Sequence, residues 1–291
     1  MGAADVVPGV SGGTMALILG IYRDLIDAIK SFDLVWLKSI LSLNIKQTLS
    51  RPHLHFLIPL FFGIISAVLF FTRVVSLPNM IETSPERVYG LFFGLIVGSI
   101  IVLFQDLKIW SFNSLLILIA GLVFGYLVVT LVPAETPTAA WFIFLSGAVA
   151  ICAMVLPGIS GSFILLILGK YAFVLNGIGH FQLSIIVPFA LGAGLGLMLF
   201  TRFLSWLLHC YERATMNFIV GILLASLWVI WPFQEREYVI VREKKRLISS
   251  VPVLPDQLGQ AWLPLALALG GCGLVLALNA LATKRARQKL T

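Results

Sequence analysis

Small polar residues follow a Pro-Gly pair at two places in the sequence, and this combination can bind an anion. The residues are Ser11, Gly12, Gly13 and Thr14 at the first place, and Ser160, Gly161 and Ser162 at the second. Proline removes a backbone donor and glycine permits unusual dihedral angles, so each Pro-Gly pair is expected to break a helix. The residues after the break would begin a half-helix, whose free N–H groups and positive dipole end attract oxyanions. The glycines would let an oxyanion come close, and the hydroxyl groups would add donors.

The two places are copies of one another. Pro8 to Tyr22 reads PGVSGGTMALILGIY and Pro157 to Tyr171 reads PGISGSFILLILGKY, with nine of fifteen positions identical. Further matches recur in the same order: Pro59, Gly63 and Thr72-Arg73 match Pro188, Gly192 and Thr201-Arg202, and Gly94-x-x-x-Gly98-Ser99 matches Gly221-x-x-x-Ala225-Ser226. Matches that keep their order indicate an internal duplication.

Three charged residues are candidates to act with these motifs. Arg73 and Arg202 occupy equivalent ends of equivalent apolar segments, and arginine binds phosphate through two parallel hydrogen bonds. The alternative is that both arginines reach towards lipid headgroups. Asp5 is the only acid in a broken segment, which makes it the candidate coupling residue, because an ionisable group at membrane depth is usually functional. If the site is open to water, Asp5 would instead be ordinarily solvated. The alternative for the motifs themselves is that both broken segments are re-entrant hairpins that only fill space.

The composition is that of an integral membrane protein. The chain is 59% hydrophobic and 11% charged, with a mean hydropathy of +1.02, whereas a soluble domain has roughly 25% charged residues. The net charge of +7 is therefore expected in loops that face the cytoplasm and not on a nucleic-acid surface. The three cysteines lack the spacing of metal ligands, so no metal or cofactor is predicted. Enzyme signatures such as HExxH, GxSxG and the P-loop are absent from the sequence, which argues against an enzyme.

The apolar segments predict an all-α polytopic membrane protein with two repeats. The first repeat, 1–138, would contain a re-entrant segment at 1–22, an interfacial amphipathic helix at 23–51 and three spans. The second repeat, 139–291, would contain a re-entrant segment at 139–171, three spans and a polar loop at 232–260. The six spans are predicted at about 54–76, 88–104, 114–132, 183–207, 216–231 and 262–281.

Glycines four residues apart predict close packing between some of these spans. Gly90, Gly94 and Gly98 share one helix face, and Gly121 and Gly125 share another.

The odd number of spans in each repeat predicts that the two repeats are inverted in the membrane. A re-entrant segment enters and leaves on the same side, so each repeat would cross three times, as is typical of alternating-access transporters. Positive charge then places the N-terminus, 23–51, Lys108, Arg213 and the C-terminal tail on the cytoplasmic side. The loop at 232–260 falls on the opposite side although it carries five basic residues, which conflicts with this orientation.

At these motifs the sequence resembles the bacterial polyprenyl-phosphate transporters of the PopT type. GAADVVPGVSGGTMALILGIY and ICAMVLPGISGSFILLILGKY look like the paired signatures of that family, and the resemblance covers essentially the whole chain. It implies a multi-pass protein of the bacterial cytoplasmic membrane that returns undecaprenyl phosphate to the cytoplasmic leaflet. The phosphate would bind at the two motifs with help from Arg73 and Arg202, and the polyprenyl tail would lie in lipid.

Two other functions are compatible with the residues themselves. One is a secondary transporter of a small water-soluble anion. The other is a membrane-embedded lipid phosphatase, against which the lack of a nucleophile–base pair argues. The coupling ion, the prenyl chain length and a homo-oligomeric state stay open at the level of the sequence.

Overall fold

The computed structural model describes residues 1–7, 9–42, 44, 50–107, 111–131, 133–134, 136–241, 244–255 and 258–288. Pro8 and Lys108, which entered the predictions above, lie outside the described residues, and so do Lys46 in the predicted helix at 23–51 and Arg242 and Glu243 in the predicted loop at 232–260. The chain forms two compact units. One consists of Met1–Val75 and Leu131–Thr215, and the other of Ser76–Thr130 and Met216–Thr291. Each unit therefore combines segments from both halves of the duplicated sequence.

The described elements are almost all helices. In the first half they are α1 (Gly2–Asp5), α2 (Gly12–Ile18), α3 (Tyr22–Lys30), α4 (Leu34–Leu41), α5 (Leu54–Leu69, continued by a π-helical turn Phe70–Val74), α6 (Leu77–Thr83), α7 (Pro85–Leu107) and α8 (Phe112–Val129). In the second half they are α9 (Ala140–Val155), α10 (Gly161–Ile167), α11 (Tyr171–Gly179), α12 (Leu183–Cys210), α13 (Glu212–Ile230), β1 (Gln234–Val241), β2 (Lys244–Pro252) and α14 (Leu258–Gln288).

The six predicted spans are confirmed. Within the described residues, six helices are long and apolar enough to cross a membrane, three in each half of the sequence. They are Leu54–Val74, Pro85–Gln105, Phe112–Val129, Leu183–Cys210, Glu212–Ile230 and Ala261–Leu281. The helices α10 and α11 form an additional apolar pair that is bent by 108° at its break, as a re-entrant loop or a broken span would be. The second broken segment thus continues past Tyr171, where the prediction ended, to Gly179.

The predicted interfacial helix at 23–51 is not continuous, because its described residues include two separate helices, α3 and α4. The chain turns between α3 and α4, where Asp33 accepts a hydrogen bond from the Trp36 N–H at 2.8 Å and caps α4. The same carboxylate accepts from Arg51 Nε at 3.1 Å and Nη2 at 2.6 Å. This hydrogen-bonded guanidinium lowers the pKa of Asp33. Because the Asp33 side chain accepts from a backbone N–H three residues later, it starts a new helix at α4 and does not continue α3.

The predicted polar loop at 232–260 is a β-hairpin, so the fold is not all-α. Strand β1 pairs antiparallel with β2 from Gln234 opposite Pro252 to Val241 opposite Lys244, with an irregularity between Glu237 and Tyr238. The run Tyr238 to Val241 is aromatic and β-branched, which suits a strand.

Glycine faces join the helices of the first unit. A Cβ atom at Gly196 would lie 2.8 Å from Ala148 O, and the Cys152 Sγ atom is 3.7 Å from Gly196 O, so α12 packs closely on α9. Gly2 of α1 lies in the same way against the backbone of Ile64 in α5.

Two further glycine-lined pairs form the second unit. Gly90 and Gly98 of α7 face the backbone of Pro264 and Cys272 in α14, where a Cβ atom would come within 2.5 and 2.9 Å of a carbonyl oxygen. Gly125 of α8 faces Ala225 of α13, where a Cβ atom on the glycine would lie 2.7 Å from the Ala225 Cβ. Close packing, predicted from the glycine spacing, is therefore confirmed for both glycine faces.

The adjacent residues Gly270 and Gly271 in α14 test this packing. A Cβ atom at Gly271 would lie 2.5 Å from Leu91 O, whereas one at Gly270 would meet nothing within 4 Å. We expect Gly271→Ala to destabilise the protein by about 1–3 kcal/mol, because the backbones of α7 and α14 must separate. Gly270→Ala should be neutral or slightly stabilising, because alanine favours the helix. Thermal unfolding of the purified variants in detergent measures the difference, and equal midpoints would contradict this packing.

Candidate functional site

The first motif is a short helix between two glycine turns. Gly9 has φ = +84° before α2, and Gly20 has φ = +70° after it, a region that favours glycine. The end of α2 is a Schellman motif, in which the Ile21 N–H donates to Ala16 O at 3.0 Å and the Gly20 N–H to Leu17 O at 3.1 Å. The chain can therefore leave α2 sharply and start α3 at Tyr22.

The second motif repeats this backbone geometry. Gly158 has φ = +91° before α10 and Gly169 has φ = +62° after it. The Lys170 N–H donates to Leu165 O at 2.8 Å, and the Gly169 N–H donates to Leu166 O at 2.9 Å. The duplication seen in the sequence thus extends to matched turns and matched hydrogen bonds.

The N-terminus of α2 is filled by acceptors from the chain itself. The Gly12 N–H donates to Asp5 Oδ1 at 3.0 Å, and the Gly13 N–H donates to Ser11 Oγ at 3.2 Å. A Cβ atom at Gly12 would lie 2.6 Å from Asp5 Oδ1, so the bare glycine is what lets the carboxylate approach. A carboxylate therefore occupies the place at which the sequence predicted an oxyanion.

The N-terminus of α10 is open. Among the described residues, the N–H groups of Gly161 and Ser162 have no acceptor. The hydroxyl groups of Ser160 and Ser162 lie 2.8 Å apart, and Ser162 is exposed. Gly161 is needed for packing, because a Cβ atom there would lie 2.6 Å from Ala150 O of α9.

The two motifs contact one another. The Gly158 N–H of the second motif donates to Thr14 Oγ1 of the first at 2.9 Å, and both residues are buried. The Tyr22 hydroxyl donates to Val155 O, at the end of α9, at 3.1 Å. A Cβ atom at Gly13 would lie 3.1 Å from the same carbonyl oxygen. These contacts fix the start of α2 beside the turn that leads into α10.

The two candidate arginines lie on the spans and not in the motifs. Arg73 is exposed in the π-helical turn after α5. Arg202 is half-buried in α12, and its Nη1 donates to Met198 O of the same helix at 3.0 Å. Within the described part of the chain, neither arginine forms a hydrogen bond or an ion pair with a motif residue.

The sequence analysis missed the environment of Lys170, directly after the second motif. The side chain is only 3% exposed, and its Nζ donates to Thr136 O at 2.8 Å. The Nζ also lies 5.4 Å from the ring centroid of Phe142 and 5.6 Å from that of Phe173, within reach of a cation–π interaction. In the sequence, Lys170 could have been noticed because it replaces an apolar residue of the repeat: the first copy of the motif has Ile21 at this position.

Comparison with known proteins identifies the family. Residues 1–248 match the family model described as undecaprenyl phosphate translocase-like. The chain belongs to this family. It is 39% identical over 297 residues to the polyprenyl-phosphate transporter of Vibrio cholerae serotype O1, covering 98% of this chain and 94% of the relative. It is 31% identical over 258 residues to the polyprenyl-phosphate transporter of Staphylococcus aureus, covering 80% and 83%.

No solved structure matches the chain. The resemblance to polyprenyl-phosphate transporters, which rested on the two motifs, is confirmed by the match to the undecaprenyl phosphate translocase-like family. Among the described residues, no group of three or more His, Cys, Asp or Glu side chains could hold a metal ion.

The contact between the motifs can be tested by Thr14→Val. The substitution keeps the shape of the side chain but leaves the buried Gly158 N–H without its acceptor, so we expect a loss of about 1–3 kcal/mol of stability. Thr130→Val is the matched control, because the Thr130 hydroxyl is exposed and bonds only to carbonyl oxygens of its own helix. Thermal unfolding measures both variants. Equal losses would show that the Thr14 hydroxyl is not specifically required.

Proposed function

We propose that this chain carries polyprenyl phosphate across the bacterial cytoplasmic membrane, with the phosphate bound at the second motif. Membership of the undecaprenyl phosphate translocase-like family and the names of two relatives support the substrate class. The comparison between the two motifs supports the location of the phosphate.

The duplicated geometry indicates which kind of group the second motif binds. In the first motif, the Asp5 carboxylate accepts from the N–H of Gly12 at the start of α2. The residue at the corresponding position of the second half is Met154, which has no oxygen atoms in its side chain. The same turn therefore presents N–H groups without the internal carboxylate, next to the hydroxyl groups of Ser160 and Ser162. An external phosphate oxygen satisfies these donors in the way that Asp5 satisfies those of the first motif.

In this proposal Arg73 and Arg202 assist from the neighbouring spans. α12 runs beside α9 with Gly196 against Ala148 and Cys152, and Arg202 lies six residues further along, about 9 Å. That distance brings Arg202 level with the end of α9, where the second motif begins. Arg73 has the same relation to the first motif, because it lies six residues beyond Ala67, which contacts Gly2 of α1. Each guanidinium group would add a charge-assisted contact when phosphate is bound.

The polyprenyl tail stays in lipid in this proposal. The span Leu54–Val74 has no buried residue within the described chain, and it exposes Phe61, Phe62 and Phe70. Such an apolar surface is compatible with a prenyl chain lying alongside the protein while only the headgroup enters.

Asp5 is the proposed coupling residue. Its carboxylate holds the start of α2, so loss of its charge weakens the contact with the Gly12 N–H and opens the first motif to phosphate. The Asp5 carboxylate and the lipid phosphate would then alternate as acceptors at the Gly12 N–H. Binding of the substrate would in this way be coupled to a structural change at the first motif.

The two halves are proposed to be inverted repeats. Three spans in each half support the odd crossing number. The helix pairs also support a symmetric arrangement of the halves. In the duplication α7 corresponds to α13 and α8 to α14, and the observed pairs are α7 with α14 and α8 with α13, so each pair joins the two halves. Single cysteines at two exposed positions, Leu19 within the first motif and Leu175 after the second, should react with an impermeant thiol reagent from opposite sides of the membrane. Reaction of both from the same side would refute the inversion.

Headgroup binding tests the proposed site. Ser160→Ala combined with Ser162→Ala should weaken binding of a prenyl phosphate to the purified protein, and Arg202→Ala should weaken it further, with each lost charge-assisted contact costing about 1.5–3 kcal/mol. Arg202→Lys should recover part of the loss, because lysine keeps the charge but not the paired donors. Asp5→Asn should change transport in liposomes more than binding. Arg213→Ala, at an exposed position outside the motifs, is the control.

The same assay separates the alternative functions. Binding of inorganic phosphate that competes fully with the prenyl phosphate would favour a transporter of small anions, and release of inorganic phosphate from the lipid would favour a phosphatase. If the Ser160, Ser162 and Arg202 variants are folded and bind prenyl phosphate normally, the phosphate does not bind at the second motif.

A further inference from the structure

The two ends of the hairpin that carries the second motif are joined to one another. Ala134 and Thr136 precede α9, and the chain returns from α9 through α10. The Ala134 N–H donates to Ile167 O at 2.9 Å, and the Thr136 hydroxyl donates to Leu168 O. A Cβ atom at Gly169 would lie 2.9 Å from Ala134 O. The carbonyl groups at the end of α10 are therefore held by the segment that leads into α9.

Lys170 completes this contact from the turn after α10. Its side chain is 3% exposed, and its Nζ donates to Thr136 O at 2.8 Å. The Nζ also lies 5.4 Å from the ring centroid of Phe142 in α9 and 5.6 Å from that of Phe173 in α11. One ammonium group thus connects the segment before α9, α9 itself and α11. We call Ala134, Thr136 and Lys170 the base clasp.

The turn after α10 does not itself require a lysine. Ile21 stands at the equivalent position of the first motif with φ = −100° and ψ = 8°, and Lys170 has φ = −103° and ψ = −11°. Each residue donates its backbone N–H to the carbonyl oxygen five residues earlier. A buried ammonium group costs free energy that an apolar side chain does not. The lysine is therefore explained by the groups that it holds and not by the turn in which it lies.

The two motifs differ at this end of the helix. A Cβ atom at Gly20, the equivalent of Gly169, would meet nothing within 4 Å. Leu19 is exposed, whereas the equivalent Leu168 is half-buried. Within the part of the chain that the structure describes, a base clasp is found only at the motif whose donors are open at the other end of its helix.

The helix α9 is the fixed element to which the clasp ties α10. Gly147 of α9 lies against the backbone of Phe189 in α12, and Gly192 of α12 lies against the backbone of Phe144 in α9. In contrast, α10 has only seven residues, and a helix of this length is not stable by itself. Its position therefore depends on the contacts at its two ends.

We propose that Lys170 is a positioning residue for substrate binding at the second motif, where it holds α10 against α9 through the base clasp. This inference rests on the proposed function, because it takes the second motif as the phosphate site. Lys170 does not touch the substrate. When the clasp is open, α10 moves relative to α9, and only a fraction of the protein can bind the headgroup. The apparent affinity falls by that fraction, while bound substrate still selects the competent arrangement.

Transport of a prenyl phosphate into liposomes, measured over a range of lipid concentrations, tests this role. Lys170→Ile removes the ammonium group and keeps a residue that the equivalent turn already contains. We expect it to raise KM about five-fold and to change the maximal rate less than about two-fold, because only the competent fraction is altered. Lys170→Arg keeps a cation and its donors, so it should recover most of the loss. An unchanged KM with a lower maximal rate, or no recovery in the arginine variant, would overturn the proposal.

Lys30→Ile is the matched control. Lys30 also joins two helices through one hydrogen bond, because its Nζ donates to Ser205 Oγ at 3.0 Å. Ser205 lines a cavity of about 290 Å³ between α3 and α12, and among the described residues Lys30 forms no hydrogen bond with the second motif. The control should leave KM unchanged. An equal rise of KM in both lysine variants would show that Lys170 has no specific role.

Hydrogen exchange of the lipid-free protein separates the clasp from the proposed function. The amides of α10 and α11 should exchange about five-fold faster in Lys170→Ile than in the unmodified chain, because the hairpin opens locally more often. Unchanged exchange would overturn the clasp. A faster exchange without any prenyl phosphate transport by the unmodified chain would contradict the proposed function alone. If Lys170→Ile does not fold, Thr136→Val removes only the hydroxyl contact with Leu168 O and should shift both KM and exchange in the same direction.

Discussion

The need to satisfy backbone N–H groups at the two helix breaks governs this structure. A broken helix inside a membrane leaves donors that water cannot reach, and each unsatisfied group is costly in lipid. The first motif meets this need with Asp5 and Ser11, and Thr14 meets it for the Gly158 turn of the second motif. The donors at the start of α10 have no such partner among the described residues, and the proposed phosphate site rests on this difference between the motifs.

Close packing on glycine joins the helices within each of the two units. The pairs α9–α12, α7–α14 and α8–α13 each bring a glycine against the backbone of the neighbouring helix. In lipid such packing replaces the hydrophobic effect as the force between helices. It is also directional, so the register along α9 and α12 determines where Arg202 lies relative to the second motif.

Much of this architecture follows from the sequence, because duplication and hydropathy are signals that a single chain carries. Nine identical positions in the two motifs predict matched turns, which Gly9 and Gly158 show. The hairpin at Gln234–Pro252 was missed, because five basic residues nearby suggested a loop.

The Asp5 contact could not be predicted either, because a carboxylate seven residues before Gly12 meets it only after the chain reverses. The cavity around Ser205 had a usable signal, namely the polar residues Ser205 and His209 four positions apart on one face of an apolar span.

The central claim is that one phosphate binds where the second motif leaves its donors open. A structure of the protein in a lipid nanodisc with bound polyprenyl phosphate tests it most directly. The account predicts phosphate density within hydrogen-bonding distance of the N–H groups of Gly161 and Ser162, with Asp5 still at Gly12 or displaced by a second oxygen. Phosphate density at a distance from both motifs, with the start of α10 empty, would contradict it.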